Sequence, residues 1–206
     1  MFVRMIYATG DPARIGTAID GLSTEGRRLV AAQPGYAGFA LFADRTLGKL
    51  VMGSMWRTEQ DRQNSDDALA EQRAAMLQPF ATTVAVANAD VVVFDRREQP
   101  GPGAWMRLSR MDLDPADADL LGETFGAAVV PQLELLPGMA GAVLFIDRIH
   151  GRGTVGVIFR DRASLEASRS GQAAARGQGA AKAHVTVTAL EEFEVVFADD
   201  VTAAAG

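Results

Sequence analysis

The chain has no cysteine and only two histidines, His150 and His184, in 206 residues. That excludes disulfides, a thiolate nucleophile and cysteine metal centres, and it leaves little imidazole for a hydrolase triad or a metal site. No apolar run reaches membrane-spanning length, and the opening MFVRMIYATGDP lacks the apolar core of a secretory leader. No dinucleotide-type G-x-G-x-x-G joining a strand to a helix is present. Lysine is scarce too, with only Lys49 and Lys182, and the net charge is −6. An acidic surface argues against nucleic acid or anionic membrane as the main partner. With 48% hydrophobic and 22% charged residues, the composition is globular, and a cytoplasmic protein without metal, haem or flavin is expected.

What is present is a repeat. PGYAGFALFADRTLG begins at Pro34 and PGMAGAVLFIDRIHG at Pro137, an offset of 137 − 34 = 103. The same offset pairs Arg4 with Arg107, Asp11-Pro12-Ala13 with Asp114-Pro115-Ala116, Gly53 with Gly156, Trp56-Arg57 with Phe159-Arg160, and Ser65 with Ser168. A period this long is domain-sized. The expected division is a first repeat at 1–97, a Pro/Gly-rich linker at 98–104, a second repeat at 105–200 and a tail at 201–206.

Each repeat reads as β-α-β-β-α-β. Phe2 to Thr9 is a strand, and Asp11-Pro12 opens a helix to about Ala32. Tyr36 to Asp44 and Lys49 to Trp56 form a hairpin around Gly48, and Thr58 caps a helix to about Leu77. Thr82 to Phe94 is the last strand. In the second copy Asp161 is the cap, Pro131 should kink the first helix, and Gly171, Gly177 and Gly179 should weaken the second. Asp44-Arg45 and Asp147-Arg148 read as turn chemistry rather than as a site. This order is the ferredoxin-like unit, α+β, with both helices on one sheet face. Its strands are apolar on both sides, so the expectation is two tandem units with their sheets packed face to face as an intramolecular α+β barrel.

GSMWRTEQDRQNSDDALAEQR and GVIFRDRASLEASRSGQAAAR each combine a strand ending in an aromatic residue with a capped helix and a serine one turn on. With the element order, this resembles the antibiotic biosynthesis monooxygenase-like proteins of the dimeric α+β barrel superfamily, here as a tandem fusion. The resemblance implies a cofactor-independent monooxygenase-like enzyme acting on an aromatic or polyketide-like small molecule, which dioxygen oxidises directly. The alternative is a non-catalytic binding or structural barrel. The haem-degrading branch would need a histidine on the helix after the tryptophan, and residues 58–77 and 161–178 contain none. The chain is expected to be a monomeric pseudo-dimer or a homodimer.

The candidate catalytic residues are Trp56, matched by position to the family, and the paired Arg4 and Arg107. A buried arginine must be paired or serve an anion, and both readings stay open. Alternation places Arg4 with Phe2, and Arg107 with Trp105, on the face expected to turn away from the helices into a cavity between the sheets. Trp56 shares its face with Ser54 and Met52, and Phe159 replaces it in the second copy without an indole N–H. The substrate-binding candidates are therefore Met52, Ser54, Phe159, Phe2 and Trp105. Tyr7 falls on the opposite alternation, and Asn64 and Asp66 are lesser candidates.

Overall fold

The computed structural model describes residues 1–201, so the expected tail lies outside them but for Val201. The chain divides into two compact units, Met1–Asn88 together with the chain from Val195, and Ala89–Glu194. The last strand of each repeat is thereby divided, β4 (Ala81–Arg96) after Asn88 and β8 (Thr186–Ala198) after Glu194.

In the first unit β3 (Lys49–Trp56) is flanked by β1 (Phe2–Gly10) and β2 (Tyr36–Asp44), both antiparallel to it. The β2–β3 turn has the expected chemistry. Asp44 Oδ1 accepts from the amides of Thr46 and Leu47 at 3.0 and 2.9 Å, and Gly48 supplies a φ of 62°. Helix α3 (Glu59–Leu77) starts at Thr58, whose hydroxyl accepts from the Asp61 amide at 3.0 Å. Most of α3 is polar, and its buried residues Ser65, Leu69 and Leu77 keep a four-residue spacing that also includes Arg73. The first helical segment is divided. Between α1 (Ile15–Gly21) and α2 (Arg27–Ala31) lies a π-helical turn, Leu22–Gly26. The Thr24 hydroxyl donates to the carbonyls of Asp20 and Gly21, at 2.7 and 3.4 Å, and so competes with the regular ladder there.

Ile6 and Ala8 join Ile15, Ile19, Leu22, Leu50, Met52 and Leu77 in one core cluster. The β1 face carrying Arg4, Ile6 and Ala8 therefore meets the helices, which reverses the expected orientation. Alternation shows which residues share a face, but a strand apolar on both sides does not reveal which face the helices cover.

The second unit holds β5 (Trp105–Asp112), β6 (Met139–Asp147) and β7 (Arg152–Phe159), with β7 between the other two. Gly151–Gly156 spells G-x-G-x-x-G, but it runs into β7 rather than into a helix. A short 3₁₀ turn capped by Asp114 leads to α4 (Ala118–Thr124), a π turn (Phe125–Val129) and α5 (Val130–Leu133). The two π turns sit 103 residues apart, and the first unit has Arg28 where the second has Pro131. The irregularity belongs to the repeat, so proline is not its cause. The last helical region bends at Ser168 between α6 (Arg162–Ala167) and α7 (Arg169–Lys182). Gly171, Gly177 and Gly179 lie inside α7 without ending it.

The strand order is β1-β3-β2-β8-β5-β7-β6-β4, an antiparallel eight-stranded sheet that closes on itself and gives an α+β fold. Among the described residues no helix is long and apolar enough to cross a membrane.

Candidate functional site

Arg4 is 2% exposed, and its side chain points at α3. Its Nη1 donates to Ser65 Oγ at 3.0 Å and to the Arg62 carbonyl at 3.3 Å, and it lies 3.3 Å from Asp66 Oδ1. Asp66 also sits 2.7 Å from Arg73 Nη1. The Nε of Arg4 has no hydrogen-bond partner. Burial lowers the Arg4 guanidinium to about 10, with the Asp66 charge opposing the shift, so it remains a cation at neutral pH. A buried donor without a partner costs free energy unless something else accepts from it.

Trp56 is fully buried, opposite Phe2 and Tyr36 in the two strand registers. The Arg4 guanidinium carbon lies 5.4 Å from the indole centroid. The indole N–H is engaged, donating to Ser54 Oγ at 3.1 Å. Trp56 therefore fixes the Ser54 hydroxyl and supports Arg4, and it does not itself line the pocket. Tyr36 meets Trp56 edge-on at 6.3 Å. Burial, then a short hydrogen bond to Asp199, pushes the Tyr36 phenol well above its ordinary value.

The pocket beside this group has a volume of about 50 Å³. Arg4, Ser54, Gln72 and Arg73 mark its polar side, and Leu22, Gly26, Phe39, Met52 and Leu69 are among its apolar walls. It lies between the strands and the helices of the first unit, not between two sheets as expected. Of the candidates, Arg4, Ser54 and Met52 come together here, and Trp56 stands behind them. Phe2 is not in the lining. Arg107, Trp105 and Phe159 belong to the second unit.

Arg107 repeats the position of Arg4 with a different outcome. Its Nε and Nη2 donate to Glu192 Oε1 at 2.9 and 2.7 Å, Nη2 also reaches the Leu165 carbonyl at 2.8 Å, and Nη1 meets Ser168 Oγ at 3.0 Å and Gln172 Oε1. This is a closed ion-pair cluster, and it carries the paired reading of the sequence. Phe159 is fully buried in the core, and Trp105 packs against that core with the Arg162 guanidinium carbon 5.0 Å from its ring centroid.

The second unit also has a pocket at the equivalent place, of about 40 Å³, lined by Ser109, Phe125, Val129, Val157 and Arg176 among others. Sequence reasoning missed Arg73 and Arg176, the π turns, and the helix-side position of both pockets. The offset held a signal for the arginines, because Arg73 and Arg176 are identical residues 103 apart. Among the described residues no group of three or more His, Asp or Glu is placed to hold a metal ion.

No family model matches the chain. Two uncharacterised proteins of Mycobacterium tuberculosis are similar in sequence. One is 27% identical over 135 residues, 66% of this chain and 60% of that protein, and the other is 26% identical over 167 residues, 80% and 70%. The chain thus spans about 60% of the first relative's length. Among solved structures, an anthrone oxidase-like protein superposes with a TM-score of 0.72 at 15% identity, covering 96% of this chain and 92% of that one. A provisionally designated monooxygenase of Fusobacterium nucleatum gives 0.72 at 12% identity, covering 97% and 94%. A ferredoxin-fold protein of Listeria monocytogenes related to antibiotic biosynthesis monooxygenases gives 0.55 at 8% identity, covering 94% of each. At these identities the likeness is one of fold.

Proposed function

We propose that the first-unit pocket is the active site of a cofactor-independent monooxygenase-like enzyme acting on an aromatic or polyketide-like small molecule. The observation that carries this reading is the unpartnered Nε of a buried, charged Arg4 in the lining of an apolar pocket. An enolate or phenolate oxygen of the substrate completes the arginine's hydrogen bonding, and its negative charge is stabilised by a fixed cation away from water. Stabilising the anion favours loss of a proton from a CH₂ group beside the substrate carbonyl. Dioxygen then takes the carbanion's electrons to give a hydroperoxide. Loss of water leaves a new carbonyl, with one oxygen atom in the product and the other in water. Ser54, held by Trp56, offers a second polar contact, and Trp56 and Arg107 are not expected to touch substrate. The fold likeness to an anthrone oxidase-like protein supports the substrate class.

The pocket volume of about 50 Å³ favours a second reading, a binding or structural protein of the same fold without chemistry. Pockets that enclose drug-sized ligands measure roughly 300–1,000 Å³. A tricyclic substrate therefore enters only if the π turn and α3 move apart. Oxygen-electrode measurements with an anthrone test the two readings. The enzyme reading expects anthrone-dependent uptake that falls about 100-fold in Arg4→Met and about tenfold in Trp56→Phe, where Ser54 loses its donor. Absence of uptake in the wild-type protein selects the second reading, and an unchanged Arg4→Met removes the assignment of Arg4.

A further inference from the structure

Corresponding positions around the two pockets carry different charges. Asp66, which neutralises Arg73 in the first unit, is replaced at the 103-residue offset by Arg169. Glu192, which closes off Arg107, is replaced in the first repeat by Ala89. Arg169 turns to Glu192, 3.2 Å away, so the Glu192 carboxylate is shared by two arginines. Arg176, the counterpart of Arg73, is left over. It lines the second pocket, it is partly buried, and among the described residues it makes no ion pair or hydrogen bond. Burial, then the Arg107 charge, holds its guanidinium below the ordinary arginine value.

We infer that the second pocket is a separate binding site for a small apolar carboxylate, with Arg176 receiving the carboxylate and the π turn and β7 enclosing the apolar part. The apolar walls come from Leu121, Phe125, Val129, Leu133, Val155 and Val157, and Ser109 adds a hydroxyl. A lone cation beside an apolar wall selects an amphipathic anion, since a neutral ligand leaves the guanidinium without a partner and a fully polar one leaves the wall uncovered. The volume of about 40 Å³ holds only a few methylenes at rest, so a single ring enters only if the π turn and α7 move slightly apart, since a cavity that takes benzene measures about 150 Å³. Arginine at a partly exposed edge matches a carboxylate in a two-pronged geometry that lysine cannot reproduce. In the first unit the corresponding Arg73 lies 2.7 Å from Asp66, so its charge is already balanced there.

The test uses the full chain with assigned methyl resonances, titrated with benzoate, hexanoate and benzamide. The expected result is that both acids shift the methyls of Val129, Leu133 and Val157 at lower concentration than those of Leu22 and Leu29. Benzamide should bind at least about tenfold more weakly, and Arg176→Met should weaken benzoate by a similar factor. Arg176→Lys should recover only part of the loss. The proposal is overturned if neither acid moves the second-unit methyls, if the shifts appear in the first unit alone, or if the amide binds as well as the acid. The amide comparison needs no variant, so it decides the matter even if a substituted protein folds poorly.

Discussion

Arg4 and Arg107 occupy the same strand position, face the same helix turn and donate to the same serine and carbonyl positions, yet only one is saturated. Arg107 adds Glu192 and Gln172, while Arg4 keeps an unpartnered Nε beside a pocket. The same residue at matching strand positions thus has every nitrogen engaged in one unit and one nitrogen unpartnered in the other. The difference was made by a few neighbours. Gln172 stands where Leu69 does in the first repeat, and Glu192 where Ala89 does. A retained arginine therefore says nothing about function until its acceptors have been identified.

The strongest way to break this comparison is to remove each arginine. Arg107→Met leaves Glu192 without its main partner and Gln172 and Ser168 without their donor, and it should destabilise the chain by about 3–5 kcal/mol. Arg4→Met loses two hydrogen bonds and an ion pair but also removes an unsatisfied donor, so about 1–3 kcal/mol is expected. Urea denaturation of both variants checks the order. Equal losses would mean that the saturated cluster holds the second unit no more firmly than the open one holds the first.

A second test addresses the packing. Gly26 and Met76 of the first unit become Val129 and Gly179 in the second, a reciprocal exchange of small and large. A Cβ on Gly26 would stand 3.6 Å from Met76 Sδ, and one on Gly179 would come within 2.6 Å of Val129 Cγ2. The pairs therefore fill one space from opposite sides. Gly179→Met should be strongly unfavourable alone and rescued by Val129→Gly, with a coupling of about 1–2 kcal/mol in a double-mutant cycle. Additive effects would show that the two positions do not share that space.

Acid titration sharpens the contrast further. Burial alone would raise the Glu192 carboxyl, but hydrogen bonds and charge from Arg107 and Arg169 outweigh it and hold it below its ordinary 4.5. A depressed carboxyl stabilises the folded state above its unfolded pKa, and that contribution is lost as pH falls through the folded value. The stability gap between the wild-type chain and Glu192→Gln, measured by denaturation, should be level above about pH 5 and shrink below about pH 4.5. A gap independent of pH would mean that the Glu192 charge contributes nothing. The smallest effect is expected for Pro131→Ala. The π turn should persist and stability should change by less than about 1 kcal/mol, because the first unit forms the same turn with Arg28 at that position. Loss of the turn in a crystal structure of the variant would restore proline as its cause.

Much of this architecture was legible in the sequence. Period-two alternation, the caps at Thr58 and Asp161, and the glycine at each hairpin set the strands and the start of α3 and α6 to within a residue or two, whereas α1 begins at Ile15 rather than at Asp11-Pro12. These signals depend on backbone geometry that a few neighbouring residues control. The resemblance to the monooxygenase-like proteins anticipated the fold class. The site was legible only in part. Alternation grouped Arg4 with Phe2 and Trp56 with Ser54 and Met52, whereas in the structure Arg4, Ser54 and Met52 line one pocket on the helix side and the Trp56 indole N–H is engaged by Ser54.

By itself the sequence determined the element order, the offset of 103 and the identity of residues sharing each strand face, because these follow from local spacing. Only the tertiary structure decided which face meets the helices, since strands apolar on both sides bury well either way. It alone decided which arginine is saturated, since Glu192 and Gln172 reach Arg107 from 85 and 65 residues away. Hydrogen-bond satisfaction of a buried charge depends on groups brought together across the fold, and no local pattern records them.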